Sequence, residues 1–411
     1  MILFTGGRVL DPRWDGPRDG IEVLVEGATI QEVSDRPITT AAERIDLAGR
    51  LLMPGLIDAH VHLTLQFGPS TYSEQFRLNP ADYAIRGTVY AKRTLLAGFT
   101  TVRNLGDGAN ESIALRNAIN TGLIEGPRIY TAGEPIGSTG GHADPGDGYR
   151  MDLAGNPGPM HGIINSPAEA WKAVRAHYKL GVDVIKIMPS GGVLDESASG
   201  DNPQMTLEEI EAVVAAAHDY GYTVAAHAHG AESIRRAVRG GVDSIEHGTC
   251  MDAADMALMK QHGTWYVPTL TAGAFVAEKA AVPGYYPPQV AAKAAAIGPR
   301  IMATAGKAYR AGVRIAFGTD AGVYPHGENA REFGYMVEAG IPAMAAIQAA
   351  TVNAATLLHH EHEIGRVAPG YRADVVAVDG DPLADVTLLQ HIGFVMKDGV
   401  VVKQAGRAVI E

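Results

Sequence analysis

With 411 residues, 46% hydrophobic and 19% charged, the chain has the make-up of a globular protein too long for one small domain. Its formal net charge of −12, from 34 basic and 46 acidic residues, speaks against nucleic acid as a partner, because phosphate binding needs a basic surface; a small molecule is expected instead. The single cysteine, Cys250, rules out an internal disulfide framework. No basic segment followed by an apolar core opens the chain, and no run approaches the ~18 apolar residues of a membrane span, so no membrane contact and a cytoplasmic location are expected.

Residues 1 to 52 read as short β runs broken by turns, at 7–10, 21–25, 29–33 and 50–52, and the C-terminal end repeats the style at 373–378, 394–396 and 400–402. Alternating apolar and polar residues predict half-buried antiparallel strands. Neither end has enough strands for a stable sheet alone, so residues 1–54 and 359–411 are expected to build one small β-sandwich together.

From 55 to 358 the texture changes to short apolar strands alternating with helical patterns. Strands are predicted at 55–62, 99–104, 127–131, 183–188, 223–227, 243–246, 264–268 and 314–318, and helices at 81–97, 167–180, 206–220 and 231–239. Alternation of this kind implies parallel pairing with right-handed crossovers, and eight units imply closure into a (β/α)8 TIM barrel of ~250 residues or more. Thr206-Leu207-Glu208-Glu209 has the form of a capping box opening its helix. Long Gly- and Pro-rich segments follow the strands at 137–164, 190–204 and 270–289; in a barrel such loops line the C-terminal mouth, where active sites sit.

The polar residues at strand ends converge on that mouth. His60 and His62 close the first strand two residues apart, and period two puts both imidazoles on one face. Lys186 lies in the fourth strand, His227 ends the fifth, His247 ends the sixth, and Asp320 follows the eighth. Polar groups so placed cost several kcal/mol if unpaired, so a shared divalent cation is the economical partner. Lys186, flanked by apolar residues, is expected to be buried with its pKa lowered. It either pairs with Asp320 or Glu246 or, as a neutral amine, takes up carbon dioxide and becomes an anionic carbamate.

The run Met53-Pro54-Gly55-Leu56-Ile57-Asp58-Ala59-His60-Val61-His62, together with Gly318-Thr319-Asp320 and Pro369-Gly370-Tyr371-Arg372-Ala373-Asp374-Val375-Val376, resembles the amidohydrolase superfamily along nearly the whole chain. Lys186 followed by Ser190-Gly191-Gly192, Thr139-Gly140-Gly141-His142-Ala143-Asp144, and Ile245-Glu246-His247-Gly248 resemble its branch of Xaa-Pro dipeptidases, carboxypeptidase-like enzymes and ochratoxin-type amidases. The resemblance implies a binuclear hydrolase in which His60, His62 and Asp320 hold one metal, His227 and His247 the other, and N6-carboxylated Lys186 and a hydroxide bridge them. Zinc is the ion expected from nitrogen and oxygen ligands, with manganese or cobalt as alternatives. The bridging hydroxide would attack a small-molecule amide or dipeptide, and Asp320 would carry the proton to the departing nitrogen. Barrels of this kind commonly associate, so a homo-oligomer is expected.

His142, in a Gly-rich loop after the third strand, is either a solvent-exposed residue or a donor to the substrate. His229 is the second substrate-binding candidate; an aromatic hydroxyl is expected near this place in the Xaa-Pro dipeptidases, and its replacement by histidine puts strict dipeptide specificity in doubt. His359-His360-Glu361-His362-Glu363 looks like a surface cluster, Cys250 a packing residue, and Arg103, Asn104 and Asp107 sources of structural hydrogen bonds. Two other readings remain open: a mononuclear cyclic-amide hydrolase or deaminase of the imidazolonepropionase type, which needs no bridging lysine, and a barrel kept as a non-catalytic binding protein.

Overall fold

The structure, a computed structural model, describes residues 1–146, 148–197 and 199–409; the last two positions of the expected C-terminal unit lie outside them. Two of its sheets are wholly parallel. Leu56–Val61, Phe99–Asn104 and Arg128–Thr131 form one, and Ile185–Ile187, Val224–Ala228, Ser244–His247 and Trp265–Val267 form the other in sequence order. Most of these strands are buried along their whole length, as expected of strands covered on both faces. Helices Pro80–Leu96, Glu111–Asn120, Pro167–Leu180, Leu207–Asp219, Ala231–Arg239 and Ala253–His262 separate them, giving a mixed α/β fold. Thr206 does cap its helix: its Oγ1 accepts from the Glu209 amide at 3.3 Å, and Glu209 Oε2 accepts from the Thr206 amide at 2.9 Å.

The expected closed eight-stranded barrel does not form as one continuous ladder. Seven strands fall into sheets of three and four, and the eighth run, 314–318, is not a strand. It contributes single contacts instead: the Tyr266 amide donates to Arg314 O at 2.8 Å, and the Ala59 amide donates to Phe317 O at 2.8 Å. Isolated parallel bridges join Tyr266 to Ile315, Ile136 to Ile187 and Val61 to Ala321. Beyond Gly318, where a Cβ would stand 2.3 Å from Val267, the chain stays against the first strand but not as regular strand: Asp320, at φ 60°, donates its amide to His60 O at 2.7 Å, and the His62 amide donates to Ala321 O at 2.8 Å.

A second correction concerns 270–289, expected as a loop. Most of it is the helix Leu270–Ala280, and its last residues open the helix Pro288–Arg310. The first helix buries Leu270, Phe275 and Val276. Its leading amides, at Leu270 and Thr271, donate to the Glu332 carboxylate at 2.8 and 2.7 Å.

Strands from the two ends of the chain pair with each other. Val375–Val378 runs antiparallel to Leu51–Pro54 inside a sheet of seven strands, and a separate four-stranded sheet comes from the N-terminal segment alone. Phe4, Val25, Ile30, Leu52, Val375 and Phe394 share one apolar core. Pairing is not uniformly antiparallel: Ile2–Thr5 runs parallel to Glu43–Asp46, and Arg8–Val9 parallel to Leu51–Pro54. Among the described residues, no helix is long and apolar enough to cross a membrane.

Candidate metal centre

The first strand, Leu56–Val61, is buried throughout and carries its own anchor. Burial pushes the Asp58 carboxyl up to about 7, and it accepts from the amides of His60 and Thr319 at 3.1 Å, the Thr319 hydroxyl at 2.6 Å and Asn329 Nδ2 at 2.8 Å. One buried side chain therefore ties His60 to the turn that presents Asp320.

Each histidine at the strand ends has one ring nitrogen committed to a protein partner. His60 Nδ1 donates to Glu246 Oε2 at 2.8 Å and His62 Nδ1 to Gly106 O at 2.9 Å. His227 uses the other nitrogen, donating from Nε2 to Gly191 O at 3.0 Å. Thr269 Oγ1 gives its own proton to Pro268 O at 2.7 Å, so at 2.7 Å from His247 Nδ1 it must accept. His229 Nδ1 lies 2.8 Å from Thr249 Oγ1. Burial lowers His60 to about 4 and His229 to about 3, and drives His227 and His247 well below the ordinary imidazole value. These rings are neutral near pH 7, and in His60, His227 and His247 the lone pair lies on the nitrogen opposite the anchor.

The side chains converge. Ligand atoms of His60, His247 and Asp320 lie within 4.8 Å of one another, and so do those of His227, His229 and His247. Asp320 Oδ1 is 3.4 Å from His60 Nε2 and 3.1 Å from His62 Nε2. Burial raises the Asp320 carboxyl, but the two histidines outweigh it and the net shift is downward. His60 Nε2 is buried with no hydrogen-bond partner among the described residues. An orphaned, neutral nitrogen beside a carboxylate fits a divalent cation, and the carboxylate–histidine arrangement at Nδ1 is the kind that orients metal ligands. His247 and Asp320 hold left-handed backbone at φ 69° and 60°, a strain of about 1–3 kcal/mol each of the sort that clusters at functional sites.

Lys186 is fully buried, and burial lowers its amine to about 8 against the pull of Glu246 and Asp320. The ion pair with either acid, left open by the sequence, does not form among the described residues; Glu246 is taken by His60, Ser244 and Arg103, whose Nη2 lies 2.9 Å from its Oε1. Arg103 and Glu246 are the residues sequence reasoning undervalued. Their signal was a charged residue inside each of two buried strands.

His142 lines the same cavity of about 290 Å³, with its ring 4.5 Å from that of His227, and His229 stacks 4.9 Å from His247. Leu65, Phe67, Val193, Leu194, Val276 and Ile301 make the walls apolar. The 359–363 cluster lies elsewhere, with His359 and His362 exposed and His359 and Glu361 lining a different cleft.

The amidohydrolase family model matches residues 51–403. Ochratoxinase from Aspergillus niger is 32% identical over 378 residues, 87% of this chain and 76% of that protein. Two solved structures align over 98% of this chain and 99% of theirs. One is a Xaa-Pro dipeptidase with methionine bound in its active site, at TM-score 0.95 and 46% identity. The other is a prolidase complexed with N-methylphosphonate-L-proline, at TM-score 0.90 and 33% identity.

Proposed function

The chain belongs to the amidohydrolase family and is a metal-dependent hydrolase of C–N bonds; on that premise we propose that it cleaves the amide joining an acyl group to a C-terminal amino acid, at a centre of two divalent cations. The substrates in view are dipeptides, N-acyl amino acids and ochratoxin-like amides. The relative that holds methionine in its active site supports an amino acid as one product.

Lys186 carries the reading. A buried amine lowered to about 8, with no ion-pair partner among the described residues and lining the cavity with the candidate ligands, is suited to carboxylation, which would supply an anionic oxygen ligand. His60, His62 and Asp320 would hold one ion and His227 and His247 the other, with zinc favoured by the donor set. Such ions would lower the pKa of a bound water and polarise the substrate carbonyl.

The remaining work falls to side chains. Asp320 faces the histidines with Oδ1, and its Oδ2, free of hydrogen bonds among the described residues, takes the water's proton and passes it to the leaving nitrogen. His142 and His229 bind substrate oxygens, and the apolar walls exclude bulk water and receive an apolar side chain. We read the two parallel sheets as halves of a (β/α)8 barrel over 55–358, and 1–54 with 359–411 as one sandwich; the parallel bridges Ile136–Ile187, Tyr266–Ile315 and Val61–Ala321 support that assignment.

Metal-reconstituted protein screened against N-acyl amino acids, dipeptides and cyclic amides tests the proposal. Hydrolysis of linear amides with two ions per chain, and Asp320→Asn protein that keeps metal but loses most turnover, are the expected results. Turnover of cyclic amides alone, with one ion and an unmodified Lys186, would establish the mononuclear alternative.

A further inference from the structure

Asp195, which the proposed reaction leaves without a role, sits at the centre of a polar chain crossing the rim of the cavity. It belongs to the loop after Ile185–Ile187 and lines the cavity beside His142. Its Oδ2 is 2.6 Å from His142 Nδ1 and accepts the Gly192 amide at 3.1 Å. Its Oδ1 accepts the Ser197 amide at 3.0 Å, the Ser197 hydroxyl, and Lys293 Nζ at 2.7 Å. Lys293 comes from the helix Pro288–Arg310, and its remaining two donors go to Asp195 O at 2.8 Å and Gly192 O at 2.9 Å. An ammonium has three donors, and all three are used on this one loop.

The His142 ring is confined on its other sides as well. It packs at a tilt against His227, and it lies so close over Gly192 that a Cβ there would stand 2.1 Å from the ring. Its backbone amide donates to Gln204 Oε1 at 2.8 Å. Nε2 has no hydrogen-bond partner among the described residues, and it is the end left for a ligand. Every donor around the Asp195 carboxyl favours its ionised form, and the net shift is downward although burial opposes it.

We propose that Asp195, clamped by Lys293, is the positioning residue of His142: it fixes the ring proton at Nδ1 and aims Nε2 at an oxygen of the bound substrate. The inference rests on the reading of the site as an amide hydrolase, but the geometry it describes exists without substrate. Lys293 extends the arrangement to the helix that also supplies Ile297 and Ile301 to the apolar wall, so wall and histidine keep a fixed spacing.

The test uses the full-length, metal-loaded protein and Asp195→Asn, Lys293→Met, His142→Ala and the Asp195→Asn/His142→Ala double variant. In 15N-histidine spectra, wild type should show His142 protonated at Nδ1, and Asp195→Asn should shift those ring signals while metal content stays at the wild-type level. Loss of a positioning partner should lower kcat/KM by ~10–100-fold, and by far less when His142 is already alanine. Unchanged ring signals in Asp195→Asn, or an equal loss with and without His142, would overturn the proposal. Should Asp195→Asn not fold, Lys293→Met carries the same spectral readout and the same criterion. A wild type inactive on every acyl amino acid would remove the functional reading and leave the spectral outcome to decide on Asp195.

Discussion

His60 Nδ1 stands 2.8 Å from Glu246 Oε2, and on the far side of that carboxylate Arg103 Nη2 meets Oε1 at 2.9 Å. All three side chains are at most 1% exposed. Burial pushes the Glu246 carboxyl up, but Arg103 and His60 outweigh it and bring it down to about 2, so the carboxylate remains charged at any working pH. Glu246→Gln keeps the shape but cannot accept from both neighbours at once. The expected result is a ~10–100-fold loss of metal affinity, read by chelator competition with far-UV dichroism unchanged.

Arg128 binds Asp374 Oδ2 at 2.6 Å and also Asp398, linking the strand Arg128–Thr131 to the terminal strands. Asp374 is 4% exposed, so Arg128→Met leaves a buried carboxylate without its cation. A loss of about 3 kcal/mol is expected in urea unfolding. Arg236→Met breaks the exposed pair with Glu232 and one hydrogen bond to Met205 O at 3.2 Å, and should cost no more than about 1 kcal/mol.

Glu111 is raised from 4.5 to about 7 by burial and by the nearby Asp107. Between those values the folded chain holds a proton the unfolded chain has released, so this group's contribution to stability falls as pH rises through the window and is level above it. Glu111→Gln keeps an acceptor for the Ala109 amide, which Glu111 Oε2 receives at 2.9 Å. Relative to the variant, wild type should lose stability from pH 5 to pH 8, measured as urea midpoints at matched metal content.

Removing the ions should destabilise the fold as well as stop turnover, because cations that bind only the native site add about 4 kcal/mol at a thousandfold excess over Kd. Exhaustive chelation is expected to lower Tm, and divalent metal with bicarbonate should restore it. A Tm indifferent to chelation would mean that the convergent histidines bind no ion.

The parts of this arrangement that announce themselves locally were legible in the chain. His60 and His62 share a face because strands have period two, and the helix Pro167–Leu180 lies between a Ser166 cap and a left-handed Gly181. The helix Leu270–Ala280 was hidden because it has no side-chain cap of its own; its leading amides are satisfied by Glu332, 62 residues downstream of Leu270. The run 314–318 has strand composition, yet regular pairing stops at the left-handed Asp320 just past Gly318, whose close approach to Val267 only the folded chain contains. Likewise the Arg103–Glu246–His60 chain joins three strands distant in sequence, and no spacing rule connects them.

Leu51–Pro54 runs through Gly55 straight into the strand bearing His60, and its antiparallel neighbour is Val375–Val378. That neighbour is made more than 300 residues later during synthesis. Until that strand is made, the segment leading to the first two histidines has an open hydrogen-bonding edge on that side. A premature stop ahead of residue 375 would therefore leave the strand that leads into the histidine-bearing one without its antiparallel neighbour, even though every candidate ligand had already been translated.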